Sequence, residues 1–343
     1  MKGYSLGGLP RHRPVIVGIL ITLSITGCSS PPTPSPRPSS NSPYLLTADG
    51  SLVYKGQAVT LRGENFNNEP GLACCGGPDI GHINASQADY QKIAEMGANH
   101  IRFGLDYQWY TNARAVFYSV IDQHLSWAAQ AHLWVIPVMY IPPGGSSGRF
   151  SGQDGFWGSA ANQAALVSFW ADFAAHYATN PTVAGYDVFN EPAPPNFGQW
   201  SQFAGQAYDA ITKADRNHLV VLEAALTNNL PAVSGDRILW SSHCFARIGT
   251  NGCNYPGDNP EKPPKLPFWM GEVGSRFPTP DSIEYDLQSL NQAQISWSHF
   301  VMHEPGYGLY QNTGAGDFSA PWQEMIQRVS AAMKGSVKPN NTP

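Results

Sequence analysis

The sequence predicts a single α/β domain with the architecture of a (β/α)8 TIM barrel, and three observations carry that reading. From residue 44 onward short apolar runs alternate with helix-like segments, the pattern of βα units that build a parallel sheet. The length left after the N-terminal region, about 300 residues, suits one such barrel. Polar residues stand at or just past the ends of the apolar runs, among them Glu64, Asp106, Glu223 and Glu304. In a barrel those positions gather on the face where the βα loops lie. No repeat of solenoid or propeller period competes with this reading.

The elements follow in chain order. Lys2, Arg11 and Arg13 precede an apolar run, 14–26, that is short for a spanning helix of ~20 residues and has the flanks of a signal peptide. Its end, Ile25-Thr26-Gly27-Cys28, resembles a bacterial lipobox, so residues 1–27 are expected to be a lipoprotein signal and Cys28 the lipidated residue. Residues 28–43 are rich in Pro and Ser, cannot bury apolar surface, and read as an extended tether. The barrel domain is expected over 44–336, with a disordered tail at 337–343. A hairpin at 45–54, turning at Asp49-Gly50, is expected to cap the bottom of the barrel. Eight strands are expected at 59–66, 100–105, 133–140, 183–190, 219–224, 238–243, 268–273 and 295–302. A helix opens at Ser86, an N-cap with Asp89 three residues on, and stops at Gly97. Others are expected near 115–131, 162–178, 200–214, 282–292 and 321–333, with only a rudimentary helix between strands five and six.

Composition narrows the function. Charged residues make up 13% and aromatics 12%, with ten Trp, and the net charge is −5. The absence of a basic stripe argues against nucleic acid as a partner. Low charge with many aromatics suits a groove that stacks on neutral sugar rings. Besides Cys28 there are Cys74, Cys75, Cys244 and Cys253. An even number in an oxidising compartment suggests disulfides, either Cys244–Cys253 with Cys74–Cys75 or pairs between the two groups. No CxxC and no nearby His pair points to a metal, and neither metal nor cofactor is expected.

Two segments carry chemistry. In 183–192, VAGYDVFNEP, an apolar strand delivers Asn190 and Glu191 at its end and Pro192 stops it. A partly buried carboxyl keeps a proton near neutral pH, as protonation of a glycosidic oxygen requires. In 267–275, PFWMGEVGS, Glu272 ends another strand between two glycines. Strands four and seven lie across the barrel mouth, which allows the ~5–5.5 Å between carboxyls of a retaining glycosidase. A cation beside Glu272 would hold it ionised, and the lack of one near Glu191 is expected to keep that group protonated.

These residues resemble the cellulase family, glycoside hydrolase family 5, over about 59–302. The resemblance includes Leu61-Arg62-Gly63 with Asn65, the run from Gly97 to Arg102, Asn190-Glu191, His243 and Glu272. It implies a (β/α)8 retaining glycosidase with Glu191 as acid/base, Glu272 as nucleophile, Arg102 supporting the nucleophile and His243 lining the site near the acid/base. Three positions depart from the family pattern. Tyr140 stands where strand three usually ends in histidine, Phe245 where strand six has tyrosine, and Phe300 where strand eight has tryptophan, with Trp297 three residues earlier. Tyr140 is a candidate to supply the missing hydroxyl from another direction. Tyr140, Trp297, Phe300, Asn65, Trp109 and Trp157 are the expected substrate contacts, with Tyr107, Tyr110, Phe156, Phe197 and Trp200 as further aromatics of the catalytic face.

The expected reaction is endo-type hydrolysis of a β-linked glucan or related polysaccharide. A mannan is an alternative, and so is a glycolipid, because the Gly-Tyr-Asp-x-x-Asn-Glu-Pro run is also similar to endoglycosylceramidases. From a different class, a surface lipoprotein that binds carbohydrate without catalysis is an alternative motivated by the altered positions. A metal-dependent hydrolase using His243, His303 and Glu304 ranks last. The chain is expected to be a monomer, exported, and held at the cell envelope through Cys28.

Overall fold

The computed structural model describes residues 41–66, 85–146, 152–225, 229–246, 248, 253, 266–275, 278–303, 308–311 and 320–340. The expectations placed on 1–27, Cys28, the tether up to residue 40, Cys74, Cys75 and Glu304 lie outside these residues.

Eight parallel strands close into a barrel in chain order: β4 (Arg62–Phe66), β5 (His100–Asp106), β6 (Trp134–Ile141), β7 (Gly185–Asp187), β8 (Leu219–Glu223), β9 (Ile238–Cys244), β10 (Phe268–Val273) and β11 (Ser296–His299). Around them lie α1 (Gln87–Met96), α2 (Tyr107–Asn112), α3 (Arg114–Gln130), α4 (Asp154–Trp157), α5 (Ala160–Tyr177), α6 (Phe197–Ala214), α7 (Pro280–Gln292) and α8 (Gln323–Met333). The first helix is built as its sequence implies. The Ser86 amide donates to Asp89 Oδ2 at 2.8 Å, and Gly97 closes the helix with φ 102°.

Period-two alternation divides each strand between two cores. Leu61, Trp134, Ile136, Leu219, Val221, Leu239 and Trp269 point into the barrel near the strand starts. They pack with Leu52, Tyr54 and Val59 of a three-stranded sheet, β1 (Leu46–Ala48), β2 (Ser51–Tyr54) and β3 (Gln57–Val59), that plugs this end. Tyr54 meets Trp134 edge-on with centroids 5.0 Å apart. The intervening residues, such as Ile101, Phe103, Val135, Val220 and Leu222, face the helices in a second cluster. Burial of each such side chain contributes about 1.5–3 kcal/mol.

Several elements differ from the sequence expectation. The cap has a third strand, β3, and its last residue, Val59, is the one at which the sequence pattern starts the first barrel strand. The fourth barrel strand is only three residues long, because beyond Asp187 the ladder gives way to single bonds such as Asn190 N–H to the Met139 carbonyl at 3.0 Å. Two short helices, α2 and α4, go unseen in the sequence because each is barely one turn or two and lacks a full amphipathic period. Pro321 pairs in the ladder of β12 (Tyr310–Gln311) and β13 (Ala320–Pro321), so α8 starts two residues later than expected. Cys244 and Cys253 form a disulfide with Cα atoms 4.8 Å apart, which settles the pairing of these two.

Candidate active site

The C-terminal half of the barrel interior is polar, and Arg102 is its hub. Arg102 lies inward between Ile101 and Phe103, is 1% exposed, and uses its whole guanidinium fork. Its Nε donates to Asp187 Oδ2 (2.9 Å), Nη1 to Glu272 Oε1 (2.6 Å) and Asn65 Oδ1 (3.3 Å), and Nη2 to Asn190 Oδ1 and Glu223 Oε1 (2.8 Å each). Although burial disfavours its charge, these carboxylates hold Arg102 firmly protonated. Trp269, in the apolar layer beneath, lies 5.9 Å from the guanidinium carbon, as does Tyr140.

Glu272 reaches this hub through an irregularity. Trp269 points inward and Met270 outward, so strict alternation would send Glu272 toward the helices. The registers of β10 against both β9 and β11 shift after Met270, and this bulge turns Glu272 inward. Gly271 is required there, since a Cβ would lie 2.8 Å from Ser241 Oγ. Glu272 Oε1 also accepts the Tyr140 hydroxyl at 3.2 Å, while Oε2 faces His243 Nδ1 at 3.6 Å. Burial pushes the Glu272 carboxyl up, against the downward pull of His243 and Arg102.

Glu191 leaves β7 with φ 46°, the left-handed region, which costs a non-glycine residue roughly 1–2 kcal/mol. Its side chain is 23% exposed, against 3% for Glu272. His243 Nδ1 stands 3.1 Å from Glu191 Oε1, and His243 Nε2 stands 3.2 Å from Glu223 Oε1. Burial opposes the imidazolium, but Glu223 and Glu272 outweigh it and hold His243 well above the usual histidine range. The expectation that Glu191 has no cation nearby is therefore corrected: an imidazolium sits beside it and also faces Glu272. Side-chain atoms of Glu191, His243 and Glu272 all approach within 4.8 Å of one another, and this is the group among the described residues able to hold an ion.

Two buried acids complete the cluster. Glu223 stays ionised: burial raises its carboxyl, but His243 and Arg102 more than reverse that. Asp187 is driven well above the usual carboxylate range by burial and by Glu223, only partly offset by Arg102. The sequence marks Glu223 only as a polar residue at a strand end. Period two identifies it, because Leu219 and Val221 point inward and Glu223 continues their face.

Other expected contacts lie elsewhere. Trp297 is fully buried with its Nε1 on Asn291 Oδ1, Trp109 packs edge-on against Phe117, and Trp157 packs among Phe156, Phe189 and Phe203. These three rings fill the helix–sheet core and present no face to a sugar. Asn65 is 2% exposed and donates to the Gly271 and His299 carbonyls while accepting from Arg102, so it braces the site rather than lining it. Phe300 is half-buried, edge-on to Phe245 at 5.4 Å, and Tyr140 is also half-buried. Of the further aromatics, Phe156 and Trp200 are buried and Phe197 is exposed. His303 faces Asp89 at 3.7 Å and does not join His243 in a metal site.

A family model described as Cellulase (glycosyl hydrolase family 5) matches residues 56–303, most of the chain. The chain belongs to glycosyl hydrolase family 5. The matched span contains all eight barrel strands and every residue of the Arg102 cluster. Among solved structures, similar folds include an endogalactoceramidase (TM-score 0.67, 17% identity, 84% of each chain covered). The endo-glycoceramidase II of Rhodococcus sp. (TM-score 0.62, 17% identity) covers 83% of this chain and 80% of its own. The catalytic domain of a Thermobifida fusca endoglucanase (TM-score 0.63, 16% identity) covers 85% of this chain and 97% of its own. A β-xylosidase of Phanerodontia chrysosporium is 25% identical over 149 residues, 40% of this chain and 31% of that protein. The chain thus matches about a third of the length of that curated relative.

Proposed function

We propose that this family 5 glycosidase hydrolyses β-linked sugars with retention of configuration, Glu272 acting as nucleophile and Glu191 as acid/base. The observation that carries the reading is that one carboxylate oxygen of Glu191 lies within 4.8 Å of one of Glu272, the short side of the two separations such enzymes use. Inverting enzymes need about 6.5–9.5 Å between the two carboxyls to admit a water, and retaining ones about 5–5.5 Å. Arg102 and Tyr140 bind Glu272 Oε1, which leaves Oε2 as the attacking oxygen. Arg102 and His243 both lie against Glu223 and Glu272, so two cations face two carboxyls at the floor of the site.

The steps then follow. Glu272 Oε2 attacks the anomeric carbon while Glu191 protonates the departing oxygen, forming a glycosyl ester. Glu191 next takes a proton from water, which attacks the same carbon and frees Glu272. Anomer detection by proton NMR tests this directly: β product must appear first, and first-formed α product overturns the reading. Glu272→Ala is expected to lower turnover at least ~10⁴-fold, and near-normal turnover would do the same.

A β-glucan-type polysaccharide is the first substrate proposed. A glycolipid is the second, favoured by the 185–192 run, GYDVFNEP, and by the endogalactoceramidase and endo-glycoceramidase among the similar structures. A panel of β-glucans, mannan and glycosylceramides, with products read by mass and Glu191→Ala as blank, separates them. Export, the lipid anchor at Cys28 and a monomeric state are part of the same proposal. The support for export and the anchor is the 14–28 sequence, and radiolabelled palmitate incorporation lost in Cys28→Ala tests the anchor.

A further inference from the structure

Glu191 occupies a backbone conformation that its own side chain disfavours, so something else must impose it. Two buried side chains grip the segment from opposite sides. Gln153, fully buried just ahead of α4, donates through Nε2 to the Asn190 carbonyl (3.1 Å) and the Glu191 carbonyl (2.9 Å). Its Oε1 accepts the Ala193 amide (2.9 Å) and the Trp157 indole (3.0 Å), so all of its hydrogen-bonding capacity is used. Both Nε2 partners are carbonyls and both Oε1 partners are donors, which fixes the amide orientation. From below, Glu223 Oε2 accepts the Glu191 amide at 2.7 Å, while Glu223 Oε1 is occupied by Arg102 and His243.

We infer that Gln153 and Glu223 are positioning residues that clamp Glu191 in its left-handed conformation and so aim its carboxyl at the leaving-group oxygen. The inference rests on the reading of Glu191 as acid/base. Neither residue approaches the sugar in this role. The grip explains why Gln153 is buried and saturated at a loop that contributes no catalytic group. It also joins the acid/base to the Arg102 hub: the same Glu223 carboxylate that anchors the Glu191 amide anchors Arg102, which holds Glu272.

The experiment compares two aryl β-glycosides, phenyl and 2,4-dinitrophenyl, on the cellobioside or lactoside core that the wild-type chain turns over. Phenolate needs a proton to leave and dinitrophenolate does not, so their ratio of kcat/KM reads how well the acid is aimed. Gln153→Met is expected to lower kcat/KM on the phenyl glycoside about 10- to 100-fold, part of what a general acid supplies, and on the dinitrophenyl glycoside under about 3-fold. Gln153→Glu keeps the size and the Oε acceptors but loses the two donated bonds, and is expected to show the same selectivity if Gln153→Met does not fold. Glu223→Ala should shift the ratio as well, whereas Glu223→Gln, which keeps an acceptor for the Glu191 amide, should slow both substrates together. Equal losses on both glycosides, or none, in the folded Gln153 variants overturn the clamp when Glu191→Ala itself discriminates between them. If Glu191→Ala loses both equally and azide restores no turnover, the acid/base reading fails and takes the clamp with it.

Discussion

The two halves of the barrel interior are made by the same strands and obey opposite rules. Near the strand starts, Trp134, Ile136, Leu219, Val221, Leu239 and Trp269 fill the barrel with apolar volume under the β1–β3 plug. A few residues further on, Arg102, Asp187, Glu223, His243 and Glu272 pack as tightly but are all ionisable. The lower half gains from taking groups out of water. The upper half pays for it and is tolerated only because each charge has a partner. Stability is concentrated at one end and chemistry at the other.

Four substitutions break or sharpen that contrast. Arg102→Met has the largest expected effect, since it leaves Asp187, Glu223 and Glu272 buried without their common cation. Urea denaturation should show a loss of about 3–5 kcal/mol, with activity abolished in what remains folded. Trp134→Ala, in the apolar half, should cost a comparable or slightly smaller ~3–4 kcal/mol through the cavity it leaves. Its kcat below the melting transition should stay within about twofold of wild type, and a large kcat loss would deny the separation of the two halves. Tyr140→Phe removes one hydroxyl from Glu272 Oε1 and keeps the ring against Arg102. A destabilisation of about 0.5–1.5 kcal/mol is expected together with a roughly tenfold fall in kcat.

Asp187→Asn should have the smallest effect and the most informative pH dependence. A carboxyl whose folded pKa is raised contributes stability that is present below its unfolded value of ~3.9 and is lost as pH rises through the folded value. The amide cannot ionise, so the difference between wild-type and variant urea midpoints should move in the variant's favour between pH 4 and pH 8. A difference that is flat with pH would show that Asp187 is not raised.

Much of this arrangement was legible in the chain. Residues of one inward face follow period two, so Leu61, Gly63 and Asn65 lead to the mouth on β4, and Leu239, Ser241 and His243 do so on β9. The aromatics were harder. Trp109, Trp157 and Trp297 have the composition of sugar platforms, but a large ring is equally suited to the helix–sheet interface, and sequence carries no record of which neighbour covers it. Phe197 is exposed at the start of α6, while Trp200, one turn further along, is buried. The resemblance put His243 near Glu191, but not the charge it carries, because the acids that raise it, Glu223 and Glu272, come from two other strands.

By itself the sequence determined the barrel, through alternating βα periodicity, and the inward-facing polar residues that keep strict alternation: Asn65, Arg102, Glu223 and His243. The two glutamates proposed to do the chemistry are the ones that break it. Glu272 is turned inward by a bulge and Glu191 by a left-handed backbone, and neither distortion is specified by local propensity. Only the folded barrel supplies the partners, Arg102 and Tyr140 for one and Gln153, Glu223 and His243 for the other, whose bonds hold those conformations. A residue's face is set by its neighbours along the strand, but departures from that face are set by contacts across the barrel.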